Sequence, residues 1–148
     1  FFPDTWLYSE TDQWKSVPIA GREGYDKPFG RVHAALSNFG GQNRGILFGG
    51  QRPINQSLAG YFGSDSNMFL LEDTWMFTYD DDSGYRWLRL GDNSNGLRWS
   101  IPHPRIHSNW LSVEKSLVLF GGEIQYDDGP VSVIYVHFFL TFSYHDII

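Results

Sequence analysis

Three short sequence markers occur twice in this chain, in the same order and at nearly the same spacing. One is an Asp-Thr-Trp triplet followed by a second tryptophan, another is a Leu-Phe-Gly-Gly run, and the third is an arginine two residues before a histidine. They are found at residues 4–6 and 73–75, at 47–50 and 119–122, and at 31–33 and 105–107. Each second copy follows the first by roughly 70 residues, as Asp73 follows Asp4. An internal repeat of this length indicates a fold built by stacking copies of one supersecondary unit.

One copy of the repeat predicts four β-strands. Residues 31–36 are predicted to form a first strand, and an Asn- and Gly-rich turn separates them from a short apolar run at 45–48, which stops at a Gly-Gly pair. Residues 74–79 and 85–90 have strand-like patterns on either side of an Asp- and Gly-rich turn. Aromatic residues make up 18% of the chain and charged residues 19%, a balance that favours half-buried strands over amphipathic helices. The expected fold class is therefore all-β.

This order of markers resembles the kelch repeat, in which an arginine opens the first strand, Gly-Gly ends the second, the third is aromatic and the fourth carries a tryptophan. The resemblance covers about residues 1–123 and implies a kelch-type β-propeller that is incomplete. It places one complete four-stranded antiparallel blade at 25–91, after the second half of a blade at 1–24 and before the first half of another at 98–130. The structural markers that carry the resemblance are Trp6, Trp14, Arg31, Gly49, Gly50, Trp75, Trp87, Arg105, Gly121 and Gly122.

The glycine and tryptophan markers are expected to have structural roles. Because they lack a Cβ, Gly49 and Gly50 allow positive φ angles and a close approach of backbone at the crowded end of a strand. Trp75 and Trp87 offer large apolar surfaces that fill the space between blades, provided that each indole N–H finds a partner.

Residues 51–72 lengthen the repeat well beyond the roughly 50 residues of a kelch blade. Long connections in compact folds usually carry function or are mobile, and an insertion without a ligand is the alternative. Four apolar side chains make this insertion the candidate contact loop: Tyr61, Phe62, Met68 and Phe69. Asn55, followed by Gln and Ser, also fits the N-glycosylation pattern, which favours an extracellular location without fixing the compartment.

Residues 131–148 depart from the repeat. Where an Asp-Thr-Trp strand is expected, residues 131–142 form a run rich in aromatic and β-branched side chains. One interpretation is a third strand without its signature. The other, a degenerate or misannotated end, is favoured because no fourth-strand tryptophan follows. The run is shorter than the ~20 residues that a membrane-spanning helix needs, so no membrane span is expected.

Charge and side-chain inventory exclude several function classes. A net charge of −6 argues against a general affinity for nucleic acid. Without cysteine, the chain has no disulfide, no thiolate metal site and no thiol nucleophile. The histidines lack a short metal-ligand spacing, and the aspartates at 80–82 fit a hairpin turn better than a calcium loop. With no Gly-x-Ser-x-Gly elbow or phosphate-binding loop in the sequence, we expect no cofactor and no catalytic residue in this segment.

The resemblance and these absences favour a binding or scaffold module that recognises a protein or another ligand through the loops between strands. An extracellular adhesion or receptor segment is one alternative. A galactose-oxidase-like or other propeller enzyme is another, although its active site would lie in further sequence because the cross-linked tyrosine of the copper enzymes needs a cysteine. A propeller closes with about 4 to 8 blades, so further blades or self-association are needed.

Overall fold

A computed structural model of the chain describes residues 4–39, 44–53, 68–91, 102–113, 116–124 and 137–140. They form the strands β1 (Thr5–Ser9), β2 (Gln13–Val17), β3 (Ala35–Asn38), β4 (Arg44–Phe48), β5 (Gln51–Pro53), β6 (Met68–Leu70), β7 (Thr74–Asp80), β8 (Gly84–Gly91), β9 (Asn109–Val113), β10 (Ser116–Phe120) and β11 (His137–Leu140). No helix occurs among the described residues, and the predicted all-β class is confirmed. This part of the chain accordingly contains no helix that could cross a membrane.

The central element is a four-stranded antiparallel sheet with the order β3-β4-β7-β8. Three of the four predicted strands, now β4, β7 and β8, begin and end within one residue of the predicted bounds. Ile46 lies opposite Met76, and Leu47 lies opposite Trp75. Because successive side chains of a strand point to opposite faces, these two pairs lie on the two faces of the sheet.

The first strand of this sheet begins later than the sequence indicated, at Ala35 instead of Arg31. His33 has a left-handed φ of 57°, which interrupts an extended strand at that point. Only Val32 keeps a strand-like bridge there, to Gln51. The marker residues at 31–33 therefore precede the sheet instead of forming its first strand.

The two hairpins at the start of the chain and within the sheet share one geometry. Tyr8 lies opposite Trp14 in β1–β2, as Phe77 lies opposite Trp87 in β7–β8, with ring centroids 5.3 and 5.0 Å apart. The β9–β10 hairpin likewise repeats the register of β3–β4 up to the phenylalanine before each Gly-Gly pair. We call β1–β2 and β7–β8 the outer hairpins, and β3–β4 and β9–β10 the inner hairpins. One inner and one outer hairpin make a complete unit.

β11 takes the position beside β10 that β7 takes beside β4. His137 lies opposite Phe120 in the same way that Thr74 lies opposite Phe48. β11 thus has the backbone pairing of a third strand, and the rest of the segment at 131–148 lies outside the described residues.

The core lies between the central sheet and the β9–β10 hairpin. Its buried side chains are Ala35, Phe39, Ile46, Phe48, Met76, Leu117 and Leu119. The β1–β2 hairpin contacts the other face, where Trp87 Nε1 donates a hydrogen bond to Thr5 Oγ1 at 3.3 Å. Trp87 pairs with Phe77, which points away from the face that carries Met76. The hairpins before and after the complete unit therefore flank its sheet on opposite faces.

Candidate functional site

A buried ion pair between Arg31 and Asp73 lies at the start of the central sheet. Arg31 Nη1 donates to Asp73 Oδ1 at 2.6 Å and Nη2 donates to Oδ2 at 2.9 Å, the two-pronged geometry that gives the strongest pairs. The side chains are only 4% and 8% exposed. Arg31 also donates to the carbonyls of Phe29 and Gly49, and Trp75 Nε1 donates to Asp73 Oδ2 at 2.5 Å. These bonds join the loop before β3, the end of β4 and the start of β7.

The electrostatics of the pair favour the ionised carboxylate. Burial raises the pKa of Asp73, but the hydrogen bonds and positive charge of Arg31, with the Trp75 N–H, outweigh that effect. The pKa of Asp73 therefore lies below its ordinary value of 3.8. A carboxylate whose pKa is lowered by folding stabilises the folded state above the unfolded pKa and loses that contribution as the pH falls through the folded pKa.

This shift predicts a pH dependence that Asp73→Asn removes. The wild-type chain is expected to lose more thermal stability than the Asp73→Asn variant as the pH falls below about 4, because protonation breaks the ion pair only in the wild type. Melting curves of both chains between neutral pH and the acid limit of folding measure the difference. Parallel pH curves would contradict the assignment of the stabilisation to this carboxylate.

Arg105, which precedes the β9–β10 hairpin of the second unit, repeats the backbone contacts that Arg31 makes in the first unit. Arg105 Nε donates to the His103 carbonyl at 3.1 Å, and Nη1 donates to the Gly121 carbonyl at 3.0 Å. Arg31 makes the matching bonds at 3.1 and 2.9 Å. The guanidinium of each unit thus holds the first glycine of its own Gly-Gly pair.

The Gly-Gly pair of the first unit meets the backbone of the second. Gly49 and Gly50 have φ angles of 63° and 88°, in the left-handed region that favours glycine. A Cβ on Gly49 would lie 2.7 Å from the Arg105 carbonyl oxygen, and one on Gly50 would lie 2.7 Å from that of Val32. Gly50 N–H donates to the same Arg105 carbonyl at 2.9 Å. The close backbone approach expected of these glycines therefore occurs between consecutive units at Gly49 and within one unit at Gly50.

Two histidines at equivalent positions pack against each other between the units, with their rings tilted by 49°. The ring centroids of His33 and His107 are 4.2 Å apart, and His107 N–H donates to the His33 carbonyl at 3.2 Å. His33 Nδ1 is 3.2 Å from Gln51 Nε2, whereas His107 Nδ1 is 3.8 Å from Glu123 Oε1. Within the described ranges, no three His, Cys, Asp or Glu side chains come together as metal ligands. The contacts give both histidines a structural role at the same position of consecutive units.

The inserted segment begins and ends in a short two-stranded ladder. β5 and β6 pair with Gln51 opposite Leu70, Arg52 opposite Phe69 and Pro53 opposite Met68. Gln51 and Pro53 are buried, so the alternation of the strand turns Arg52 to the opposite face. Phe69 shares that outer face as the cross-strand partner of Arg52, and it is 57% exposed.

Arginines and aromatic rings continue from this ladder to the neighbouring loop. The Arg52 guanidinium lies 3.9 Å from the Phe29 ring centroid, and that of Arg22 lies 3.7 Å from the Tyr25 ring centroid. The Phe29 ring lies directly against Gly24, where a Cβ would overlap it. The Arg52–Phe29 pair and the Arg22–Tyr25 pair are therefore neighbours. We call this surface the arginine–aromatic patch, composed of Arg22, Tyr25, Phe29, Arg52 and Phe69.

The loop that carries Tyr25 is held in place by hydrogen bonds. Gly24 N–H donates to the Lys27 carbonyl at 2.7 Å, and Arg22 N–H donates to Asp26 Oδ2 at 2.7 Å. Arg89 Nη1 reaches from β8 to the Gly24 carbonyl at 3.2 Å. Tyr25 is therefore 64% exposed on a fixed backbone.

The four tryptophan markers occupy different environments. Trp75 is fully buried and bonds to Asp73, whereas Trp87 is half-buried and bonds to Thr5. Trp6 is 51% exposed and Trp14 is also exposed. These two belong to the outer hairpin that has no inner hairpin beside it in the part of the chain described.

The candidate contact residues are only partly within the described ranges. Met68 is half-buried in β6 and Phe69 is exposed beside it. Tyr61, Phe62 and the glycosylation candidate Asn55 lie outside the described residues.

Sequence reasoning did not identify Arg22, Tyr25, Phe29 and Arg52 as part of this surface. The cross-strand partnership of Arg52 and Phe69 spans the inserted segment, and each strand has three residues, too few to show an alternating pattern. The one available signal is that Arg22 lies close in sequence to two aromatic residues, Tyr25 and Phe29.

Comparison with known proteins adds no family to these observations. No protein-family model matches the chain, and no curated protein matches it.

Proposed function

We propose that this chain is a segment of a kelch-type β-propeller that recognises protein partners through its inserted segment and the arginine–aromatic patch. The observation that carries this proposal is the β5–β6 ladder, which turns Arg52 and Phe69 outward at the base of the insertion. Side chains on the outer face of this ladder can contact a partner while the sheet beneath them stays fixed.

The repeated unit supports the propeller part of the proposal. Matching registers, matching arginine contacts and the left-handed histidines recur in two consecutive units. A four-stranded antiparallel sheet stacked face to face on the next unit is the architecture of a propeller blade.

The composition of the patch supports the recognition part. Arginine, tyrosine and other large aromatic side chains contribute most often to the binding energy of protein interfaces. Both guanidinium groups already lie on aromatic rings, so they lose little side-chain freedom when a partner covers them. Phe69 and Tyr25 then offer exposed apolar area beside the two positive charges.

Selection of random peptides displayed on phage, with the purified chain as bait, tests the proposal. Selected peptides are expected to bind the Phe69→Ser variant at least about tenfold more weakly than the wild type, because the change removes an exposed anchor. Arg52→Gln is expected to act in the same direction, and titration calorimetry with synthetic copies of the peptides measures both effects.

Leu36→Ser provides the matched control, because Leu36 is an exposed apolar residue on β3, outside the patch. Arg86→Gln provides the corresponding control for Arg52. The proposal is overturned if no peptide is enriched, or if the control variants weaken binding as much as the patch variants do.

A further inference from the structure

The contact between consecutive units includes a pair of exposed histidines. His33 and His107 occupy the same position of their units, and their ring centroids are 4.2 Å apart. Both residues have left-handed φ angles, 57° and 56°, and the His107 N–H donates to the His33 carbonyl at 3.2 Å. The backbone therefore holds the two imidazoles side by side at the surface, where they exchange protons with solvent.

The neighbours of His33 favour its neutral form. Gln51 Nε2 lies 3.2 Å from His33 Nδ1. An amide nitrogen only donates hydrogen bonds, so the ring nitrogen accepts this bond and carries no proton. A proton on Nδ1 would place two donors against each other. Among the described residues, no carboxylate forms an ion pair with His33 that would offset this loss.

His107 has a carboxylate beside it instead. Glu123 follows the second Gly-Gly pair as Gln51 follows the first. Glu123 Oε1 lies 3.8 Å from His107 Nδ1, and both side chains are about half exposed. A carboxylate at this distance attracts a protonated imidazole. A positive charge is therefore balanced on His107 and not on His33, although the two rings are in contact.

The other charged side chains near the pair are directed elsewhere. The guanidinium groups of Arg31 and Arg105, two residues before each histidine, donate to glycine carbonyls of their own units, and Arg31 also pairs with Asp73. Arg52 lies over an aromatic ring of the arginine–aromatic patch. In the part of the chain that the structure describes, Glu123 is the one carboxylate that forms an ion pair with either ring.

We propose that this histidine pair makes the contact between consecutive units sensitive to acid. An imidazole takes up its second proton between about pH 5 and pH 8. As the pH falls through this range, His107 gains a charge beside Glu123. A further charge on His33 then meets the first one across the contact, and the bond from Gln51 is lost. The unfolded chain binds that further proton without either cost, so the folded state loses stability as the pH falls.

Melting curves at about pH 7.5 and about pH 5.5 test the proposal. The melting temperature of the wild type is expected to fall over this interval by at least about 3 °C more than that of His33→Asn. Asparagine does not titrate, and it tolerates the left-handed backbone at this position. His103→Asn is the matched control, because His103 is exposed and lies outside the pair, and it is expected to follow the wild-type curve.

Glu123→Gln is expected to act in the opposite direction. The substitution removes the carboxylate beside His107, so the fall in melting temperature between the two pH values becomes larger than in the wild type. Glu10→Gln makes the same change in the exposed β1–β2 turn and is expected to leave the fall unchanged.

Amide hydrogen exchange of the wild type locates the effect without any substitution. The N–H groups of His107 and Gly50 bond to carbonyls across the contact, whereas those of Leu71 and Glu123 bond within one unit. Between the same two pH values, the protection factors of the first two amides are expected to fall at least about threefold more than those of the other two. Equal changes at all four amides, or parallel pH curves for the wild type and His33→Asn, overturn the proposal.

Discussion

Replacing Asp73 by asparagine is expected to lower the free energy of unfolding by about 3 kcal/mol or more. The substitution keeps the size of the side chain but removes the charge that balances Arg31, whose guanidinium is almost fully buried. An amide also cannot offer the second carboxylate oxygen that Arg31 uses, and it presents an N–H₂ group in its place. A buried charge without its counter-ion is among the most costly defects in a protein core.

Equilibrium unfolding in urea measures this loss. Asp80→Asn is the matched control, because Asp80 pairs with Arg86 at 3.4 Å on the surface, and an exposed pair contributes little. Replacing Arg31 and Asp73 together by leucine is expected to recover part of the loss, since no charge is then left buried. An Asp73→Asn variant that unfolds at the same urea concentration as the wild type would contradict the importance of the pair.

Gly49→Val is expected to cost more than about 2 kcal/mol, for two reasons that act together. Gly49 has a φ of 63°, which a β-branched residue adopts only with strain. A Cβ there would also lie 2.7 Å from the Arg105 carbonyl oxygen, which is held by the hydrogen bond from Gly50. Neither the backbone at Gly49 nor that at Arg105 can move without loss of the contact between units.

Gly121→Val separates the two reasons. Gly121 has the same repeat position and a φ of 69°, but no described atom lies within 4 Å of the Cβ that it would gain. The Gly121→Val variant is expected to show the backbone strain alone. Its melting temperature should therefore fall less than that of Gly49→Val. Equal losses in the two variants would mean that the carbonyl of the next unit does not crowd Gly49.

The sequence predicts the positions of the strands in this fold better than it predicts the contacts between residues that lie far apart in the chain. Alternation of side chains and turn residues located β4, β7 and β8, because both signals are local. The start of β3 was wrong by four residues, since the left-handed backbone at His33 is set by contacts with Gln51 and His107 that lie far away in sequence. A single sequence carries no local signal for such contacts.

The sequence also does not predict the different environments of its two identical Asp-Thr-Trp motifs. Asp4 and Asp73 begin the same triplet, and each accepts a hydrogen bond from its tryptophan. Whether that tryptophan is buried depends on a neighbouring strand and not on the motif itself. The pairing of Arg52 with Phe69 has the same origin, because it depends on how the inserted segment returns to the sheet.

The contact between the Gly-Gly pair and the next arginine has an evolutionary consequence. The guanidinium of Arg105 donates to the first glycine of its own Gly-Gly pair, and its carbonyl accepts a hydrogen bond from the second glycine of the pair in the unit before it. Every unit with these markers therefore carries both halves of the contact at fixed sequence positions. Duplication or deletion of a whole unit preserves all such contacts without any compensating substitution, whereas a break inside a unit destroys one. Recombination at unit boundaries can thus change the number of units while the packing chemistry stays the same.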